Sequence, residues 1–263
     1  MMERFGDVRY EVDAGGVALL TLDDPERMNA LGAGIREGIL AGLAAADEDD
    51  AVGAVVITGT GKCFCAGGDL AEMARIADGG FNADTVRRFV LASVETLVAP
   101  ERCRKPVVAA VNGMAFGGGF ELAIACDFVI ASERAKFCIP EINLGVLPAL
   151  GIVRLPAMIG RMKAKELSML GDPFSAQDAE RLGLVLRTTP ADTTLSEAMT
   201  FATRLASKPR LAIGMAKSFY NRGLGGDEMR HTIDGFPYLF MHADAQEGIA
   251  AFRDKREPNF ARR

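Results

Sequence analysis

The sequence predicts an α/β fold with mainly parallel strand pairing, on three observations. Runs of β-branched and small apolar residues without polar alternation, at 54–58, Val107–Val111 and 128–131, have the character of strands buried on both faces. Two of them pass through glycine-bearing turns, Gly67-Gly68 and Gly117-Gly118-Gly119, into helical patterns. After residue 157 the chain is mostly helical. Strand, turn and helix repeating in this way is the pattern of a parallel sheet, because a parallel pair needs a crossover.

Taken in order, Val8–Val12 alternates weakly and Val17–Leu22 follows a Gly15-Gly16 turn, so the two read as a hairpin that opens the sheet. Asp23-Asp24-Pro25 breaks the run. Ile35, Ile39, Leu40 and Leu43 then mark a helix that the acidic residues 47–50 stop. The segment TGTGKCFCAGGDLAEM after the 54–58 strand is no phosphate loop, since Val56 and Cys63 stand where that motif needs glycine and Ser or Thr. It leads instead into a helix from about Asp69. Residues 81–98 read as a helix that ends before Lys105-Pro106, an apolar helix starts near Phe120, and 135–138 is a further short strand. Later helices are expected at 164–170, 176–182, Thr194–Ala206, Arg210–Asn221 and 226–242, followed by an amphipathic segment from Glu247. No low-complexity linker interrupts the chain. A core at 1–195 and a helical C-terminal region at 196–263 should therefore pack on each other or on a neighbouring subunit.

Composition narrows the partners. The formal charge of -5 argues against bulk nucleic-acid binding, and no stretch reads as a charge-free membrane span. Five cysteines show neither zinc-site spacing nor a paired disulfide pattern, so they read as buried free thiols in a reducing compartment. The first residues carry Glu3 and Asp7 and no cationic apolar signal. The expectation is a cytoplasmic protein that takes a small ligand, with no nucleic acid and no membrane partner. His231 and His242 lie in the helical tail without a triad or metal pattern, and no Gly-x-Ser-x-Gly elbow is present.

The chemistry concentrates between Val107 and Gly151. Glycines at 117–119 let a ligand approach the backbone, and the first N–H groups of the helix that follows point outward with the positive end of its dipole behind them. Glu121 sits in the first turn of that helix. Glu141 follows Pro140 between apolar residues, where an ionised side chain is costly without a partner. Two carboxylates thus bracket a donor-rich turn, and Gly67-Gly68-Asp69 repeats the arrangement in weaker form. The pattern fits acid/base chemistry on a substrate whose carbonyl oxygen gains negative charge.

These residues, with Asp24-Pro25, Asn29-Ala30-Leu31, Phe64-Cys65-Ala66, Asn112-Gly113, Leu144-Gly145, Pro148, Gly171-Asp172 and Glu247-Gly248, occur in an order that resembles the crotonase superfamily, the enoyl-CoA hydratase/isomerase proteins. The resemblance implies a crotonase-like spiral of ββα repeats, with C-terminal helices that make trimers or hexamers. It implies an acyl-CoA thioester substrate and no cofactor beyond that substrate's CoA moiety. The N–H groups of Gly68 and Gly118 would form the oxyanion hole, with Glu121 and Glu141 as the acid/base pair of a hydratase. The substrate would be lined by Arg27, Met28 and Ala30, by Ala66, Gly67, Asp69 and Leu70, and by Met73, Phe116 and Gly117. Lys255 would reach a neighbour's phosphates.

One departure stands out. After Pro148 hydratases usually have a glycine-rich stretch and Thr-Gln-Arg-Leu, but here the sequence is Ala149-Leu150-Gly151-Ile152-Val153-Arg154-Leu155. The Ala149 N–H remains available to a catalytic water, and the added side chains are expected to reshape the acyl pocket. Thioester hydrolysis after hydration, and double-bond isomerisation, therefore stand as alternatives. A noncatalytic RNA-binding relative is disfavoured by the acidic charge.

Overall fold

The computed structural model describes residues 2–80, 82–221, 237, 240–241 and 243–258. Strands β1 (Met2–Phe5), β2 (Val8–Val12) and β3 (Val17–Leu22) form an antiparallel meander. Beyond β3 the sheet continues in parallel through β4 (Ala54–Gly59), β6 (Val107–Val111), β8 (Phe128–Ser132) and β11 (Arg187–Thr189). A second, smaller sheet is built from β5 (Cys63–Cys65), β7 (Met114–Phe116) and β9 (Lys136–Cys138) in parallel, with β10 (Phe174–Ser175) antiparallel at its edge.

The chain alternates between the sheets. Each strand of the large sheet at β4, β6 and β8 is followed by one of the small sheet, and every repeat moves one strand along both. This is the expected spiral of ββ units. Helices α1 (Ala33–Glu48), α2 (Leu70–Asp78), α3 (Ala83–Arg102) and α4 (Gly118–Ala125) lie in the crossovers, with α3 packed on both α1 and α4. All of α4 is buried, as expected of a helix apolar on every side, and Phe120 packs edge-on against Phe137 and Phe174 of the small sheet. The other side of the large sheet, with Val17, Ala54, Val56, Val108 and Ile130, is covered by Ala198 and Ala202 of α8 (Thr194–Ala206). The C-terminal region expected from residue 196 thus begins within a helix that belongs to the sheet's packing.

Helices α5 (Gly151–Ile159), α6 (Arg161–Leu170), α7 (Ala176–Arg181), α9 (Arg210–Asn221) and α10 (Ala243–Arg253) complete the described elements. Among them no helix is long and apolar enough to cross a membrane, and all five cysteines are buried and free. The helix expected at 81–98 begins at Ala83, capped by the Asn82 side chain, and runs through Pro100 to Arg102. It outlasts the sequence reading because its apolar face keeps contact with the core. The expected helix at 226–242, and His231 and His242 with it, lie outside the described residues.

A buried ionic junction fixes α9. Lys217 Nζ lies 2.7 Å from Asp127 Oδ2 and donates to the carbonyls of Pro100 and Lys105, while the same carboxylate oxygen accepts the Val107 N–H at 2.7 Å. Beside it, Arg154 and Glu101 form a bidentate pair. Asp127 therefore joins the central strand to a helix ninety residues away.

Candidate active site

The two glycine turns face each other. A methyl group placed on Gly67 would lie 2.6 Å from the Phe116 carbonyl oxygen and 3.1 Å from the Gly118 nitrogen, and one on Gly118 would lie 3.8 Å from the Gly68 nitrogen. Contact this close is possible only between residues without side chains, which is why both turns carry glycine. Gly67 (φ 96°) and Gly117 (φ 51°, ψ -127°) also hold backbone conformations that other residues rarely adopt. Gly117 leaves β7 through its N–H bond to the Cys138 carbonyl and accepts the first bond of α4 from Glu121.

The residues around 27–31 are stitched to the first of these turns. Ala66 N–H donates to the Met28 carbonyl at 3.0 Å, Leu31 N–H donates to the Gly67 carbonyl at 2.7 Å, and Leu31 pairs with Gly68 as an isolated parallel bridge. The buried Asn29 side chain holds the loop by donating to the carbonyls of Thr60 and Cys63. Arg27 and Met28 are exposed, and Ala30, Ala66 and Leu70 half-buried. Met73, buried on α2, would place its sulfur 3.6 Å from a methyl on Gly68. All of these expected substrate contacts gather at one end of the small sheet, with Phe116 on β7.

Two of the expected residues lie against groups of their own chain, and a third stands apart, as a residue expected to serve a neighbour would. Asp69 is buried and its Oδ1 accepts the N–H groups of Ala71 and Glu72, so its carboxylate caps α2 rather than facing a ligand. The Ala149 N–H lies beside the Glu121 carboxylate, next to the amides of Leu150 and Gly151 that bond to it. Lys255 is exposed beyond the end of α10, whose Arg253 lies 3.9 Å from Asp78 at the C-terminal end of α2. Since a nine-residue helix is about 13 Å long, Lys255 stands away from the glycine turns within its own chain.

The two glutamates meet here in different settings. Glu121 Oε1 accepts the N–H groups of Leu150 at 2.6 Å and Gly151 at 2.7 Å, with the Ala149 N–H on the same carboxylate. Burial pushes its carboxyl up, and the three amides pull it back toward ionisation. Glu141 sits in a 3-10 turn, Pro140–Leu144, with Oε1 2.7 Å from where a methyl on Gly117 would lie. Its Oε2 is buried with no hydrogen-bond partner among the described residues. Burial first, and then the charge of Glu121, hold its carboxyl well above the usual carboxylate range. Donated amides favour the charged form of Glu121, and the enclosed, unpartnered Oε2 of Glu141 favours its protonated form. The sequence reading did not find the amides at 149–151 as Glu121's partners; the only signal was a glycine, Gly151, three residues after Pro148.

Of that departing segment the first two side chains turn inward, whereas Ile152 is exposed. Leu150 is fully buried and Ala149 nearly so, and both belong to the main hydrophobic core. They share that core with Met73, one of the residues expected to line the substrate.

Residues 13–263 match the enoyl-CoA hydratase/isomerase family. The chain belongs to that family. It is 42% identical over 253 residues, 95% of this chain and 96% of the relative, to a probable enoyl-CoA hydratase of Rhizobium meliloti. It is 38% identical over 249 residues, 93% of this chain and 94% of the relative, to the crotonyl-CoA hydratase of Syntrophomonas wolfei. Among solved structures, carnitinyl-CoA hydratase from Mycobacterium avium superposes with a TM-score of 0.85 at 35% identity, over 98% of this chain and 99% of that one. The double sheet described above is thus the crotonase fold.

Proposed function

We propose that the protein is a hydratase that adds water across the 2,3 double bond of an enoyl thioester of coenzyme A. The observation that carries the reading is the unequal pair of glutamates beside two facing glycine amides. The thioester oxygen takes hydrogen bonds from the N–H groups of Gly68 and Gly118, which stabilise the charge it gains when C3 is attacked; one such donor is commonly worth about 2.7–4 kcal/mol. Glu121, ionised, accepts a proton from water as its oxygen bonds to C3. Glu141, protonated, delivers its proton to C2. The double bond becomes a single bond, the product is a 3-hydroxyacyl thioester, and one proton transfer between the carboxyls restores the starting state. Hydratase names among relatives of similar length support this reading.

The lining residues in this proposal are Arg27, Met28, Ala30, Ala66, Gly67, Leu70, Met73, Phe116 and Gly117, and the reaction needs nothing beyond the CoA moiety of the substrate. A homotrimer or hexamer is part of the same reading. Leu211, Met215 and Tyr220 on α9 and Met162, Met169 and Leu170 on α6 are exposed in the single chain, and a neighbouring copy would cover them and bring Lys255 to its own bound phosphates. Buried free thiols fit a cytoplasmic location.

Crotonyl-CoA tests the reaction. Loss of enoyl absorbance without free thiol is the expected result. Release of free thiol identifies thioester hydrolysis instead, and no reaction across short, long and aromatic enoyl thioesters removes the proposal. Sedimentation gives the subunit count.

A further inference from the structure

Arg36 is a buried cation on α1 that the chemistry above does not use, and its contacts run to the oxyanion turn. Its Nη1 donates to the Leu31 carbonyl at 2.7 Å, and its two Nη atoms pair with the Glu72 carboxylate at 2.8 and 2.9 Å. The guanidinium lies 5.7 Å from the ring centre of Phe89 on α3. Leu31 in turn touches both halves of the site: its N–H holds the Gly67 carbonyl, it bridges Gly68, and its Cδ1 lies 2.8 Å from where a methyl on Gly118 would be. Glu72 stands one turn into α2, the helix that begins just after Gly68.

We propose that Arg36 is a positioning residue for the oxyanion hole: by gripping the Leu31 carbonyl and the Glu72 carboxylate together, it fixes the Gly68 amide at its working distance from the Gly118 amide. The inference rests on the hydratase reading. A planar fork suits the task because it satisfies a carboxylate and a carbonyl at once, which a single ammonium cannot do in the same geometry. The rival account is an ordinary buried ion pair that bolts α1 to α2. The two accounts part on the fate of Leu31, because replacing both charged partners by apolar residues of similar size tends to preserve stability but leaves that carbonyl without its donor.

The test is the double variant Arg36→Met with Glu72→Leu, beside Arg36→Lys, using crotonyl-CoA turnover and the absorbance of bound 2,4-hexadienoyl-CoA, which moves to the red as its carbonyl is polarised. A positioning role predicts a double variant that melts near wild type, with kcat lower by about 10- to 100-fold, KM little changed and a smaller red shift per bound ligand. Arg36→Lys, which keeps one donor for Leu31, should recover part of the shift. A folded double variant with the wild-type shift and kcat overturns the proposal. If wild type itself neither shifts the dienoyl absorbance nor hydrates crotonyl-CoA, the hydratase reading fails and the role of Arg36 falls with it.

Discussion

Glu121→Gln separates chemistry from folding at this site. Glutamine keeps the shape of glutamate and a carbonyl oxygen that can still accept from Leu150 and Gly151, now at 2.6 and 2.7 Å. What is lost is the charge. A hydrogen bond to a charged group is worth about 1.5–3 kcal/mol and a neutral one about 0.5–1.5, so two bonds together weaken by about 2 kcal/mol. Against this, an ionised group no longer has to be held in a buried pocket beside a second carboxyl, which is a cost of similar size. Stability should therefore change by no more than about 1 kcal/mol. The reaction loses its base, for which a drop of about 10²- to 10⁴-fold in kcat is expected, equal to about 3–5 kcal/mol of barrier. Glu141 should respond as well: without the charge of Glu121 its carboxyl moves down, staying above the usual range through burial alone. The assay is loss of crotonyl-CoA absorbance against pH, with urea unfolding of the same preparations. The residual activity should fall off at lower pH than that of wild type, as Glu141 ionises sooner. A variant within about tenfold of the wild-type rate would refute the role given to Glu121, and an unchanged alkaline limb would refute its coupling to Glu141.

Other perturbations test neighbouring parts of the argument. Because Glu141 binds its proton more tightly when folded than at its ordinary value of 4.5, its contribution to stability is fullest below that value and is lost as pH rises toward the raised one; Glu141→Gln should lack that share of the slope in pH-dependent urea midpoints. Lys217→Met leaves Asp127 buried without its cation and should cost about 3–5 kcal/mol, with most of the loss recovered when Asp127→Asn is added, as thermal unfolding will show. Gly119→Ala would bring a methyl within 2.1 Å of the Cys65 carbonyl oxygen and should fail to yield folded protein, whereas Gly118→Ala meets only the end of the Leu31 side chain at 2.8 Å. The latter should fold and lose kcat, up to about the 2.7–4 kcal/mol of one oxyanion donor.

Much of the fold was legible because strands buried on both faces are continuous apolar runs. Residues 54–58 and Val107–Val111 announce themselves, and glycine pairs mark the turns that follow. The small sheet was less so. Cys63–Cys65, Met114–Phe116 and Phe174–Ser175 have two or three residues each, too few for any periodicity to show. Helix α5 begins before residue 157, where the sequence reading starts its helical region, and it holds Pro156 within it; Gly151 starts the helix and gives its N–H to Glu121. The ionic junction of Lys217 and Asp127 was invisible, since nothing local distinguishes a buried lysine on an amphipathic helix from a solvated one.

By itself the sequence determined where the backbone must bend, which amides a new helix would leave free, and that two carboxyls stand near them. Only the tertiary structure made the two carboxyls unequal. Amides of Leu150 and Gly151 are packed against Glu121 and favour its charge, while the enclosed Oε2 of Glu141 has no such partner among the described residues and favours the proton. It also decided that Leu150 fills the core and Arg36 reaches Leu31. Free backbone groups follow from local composition, but the group that fills each of them arrives from a distant part of the chain, and only packing of the whole brings it there.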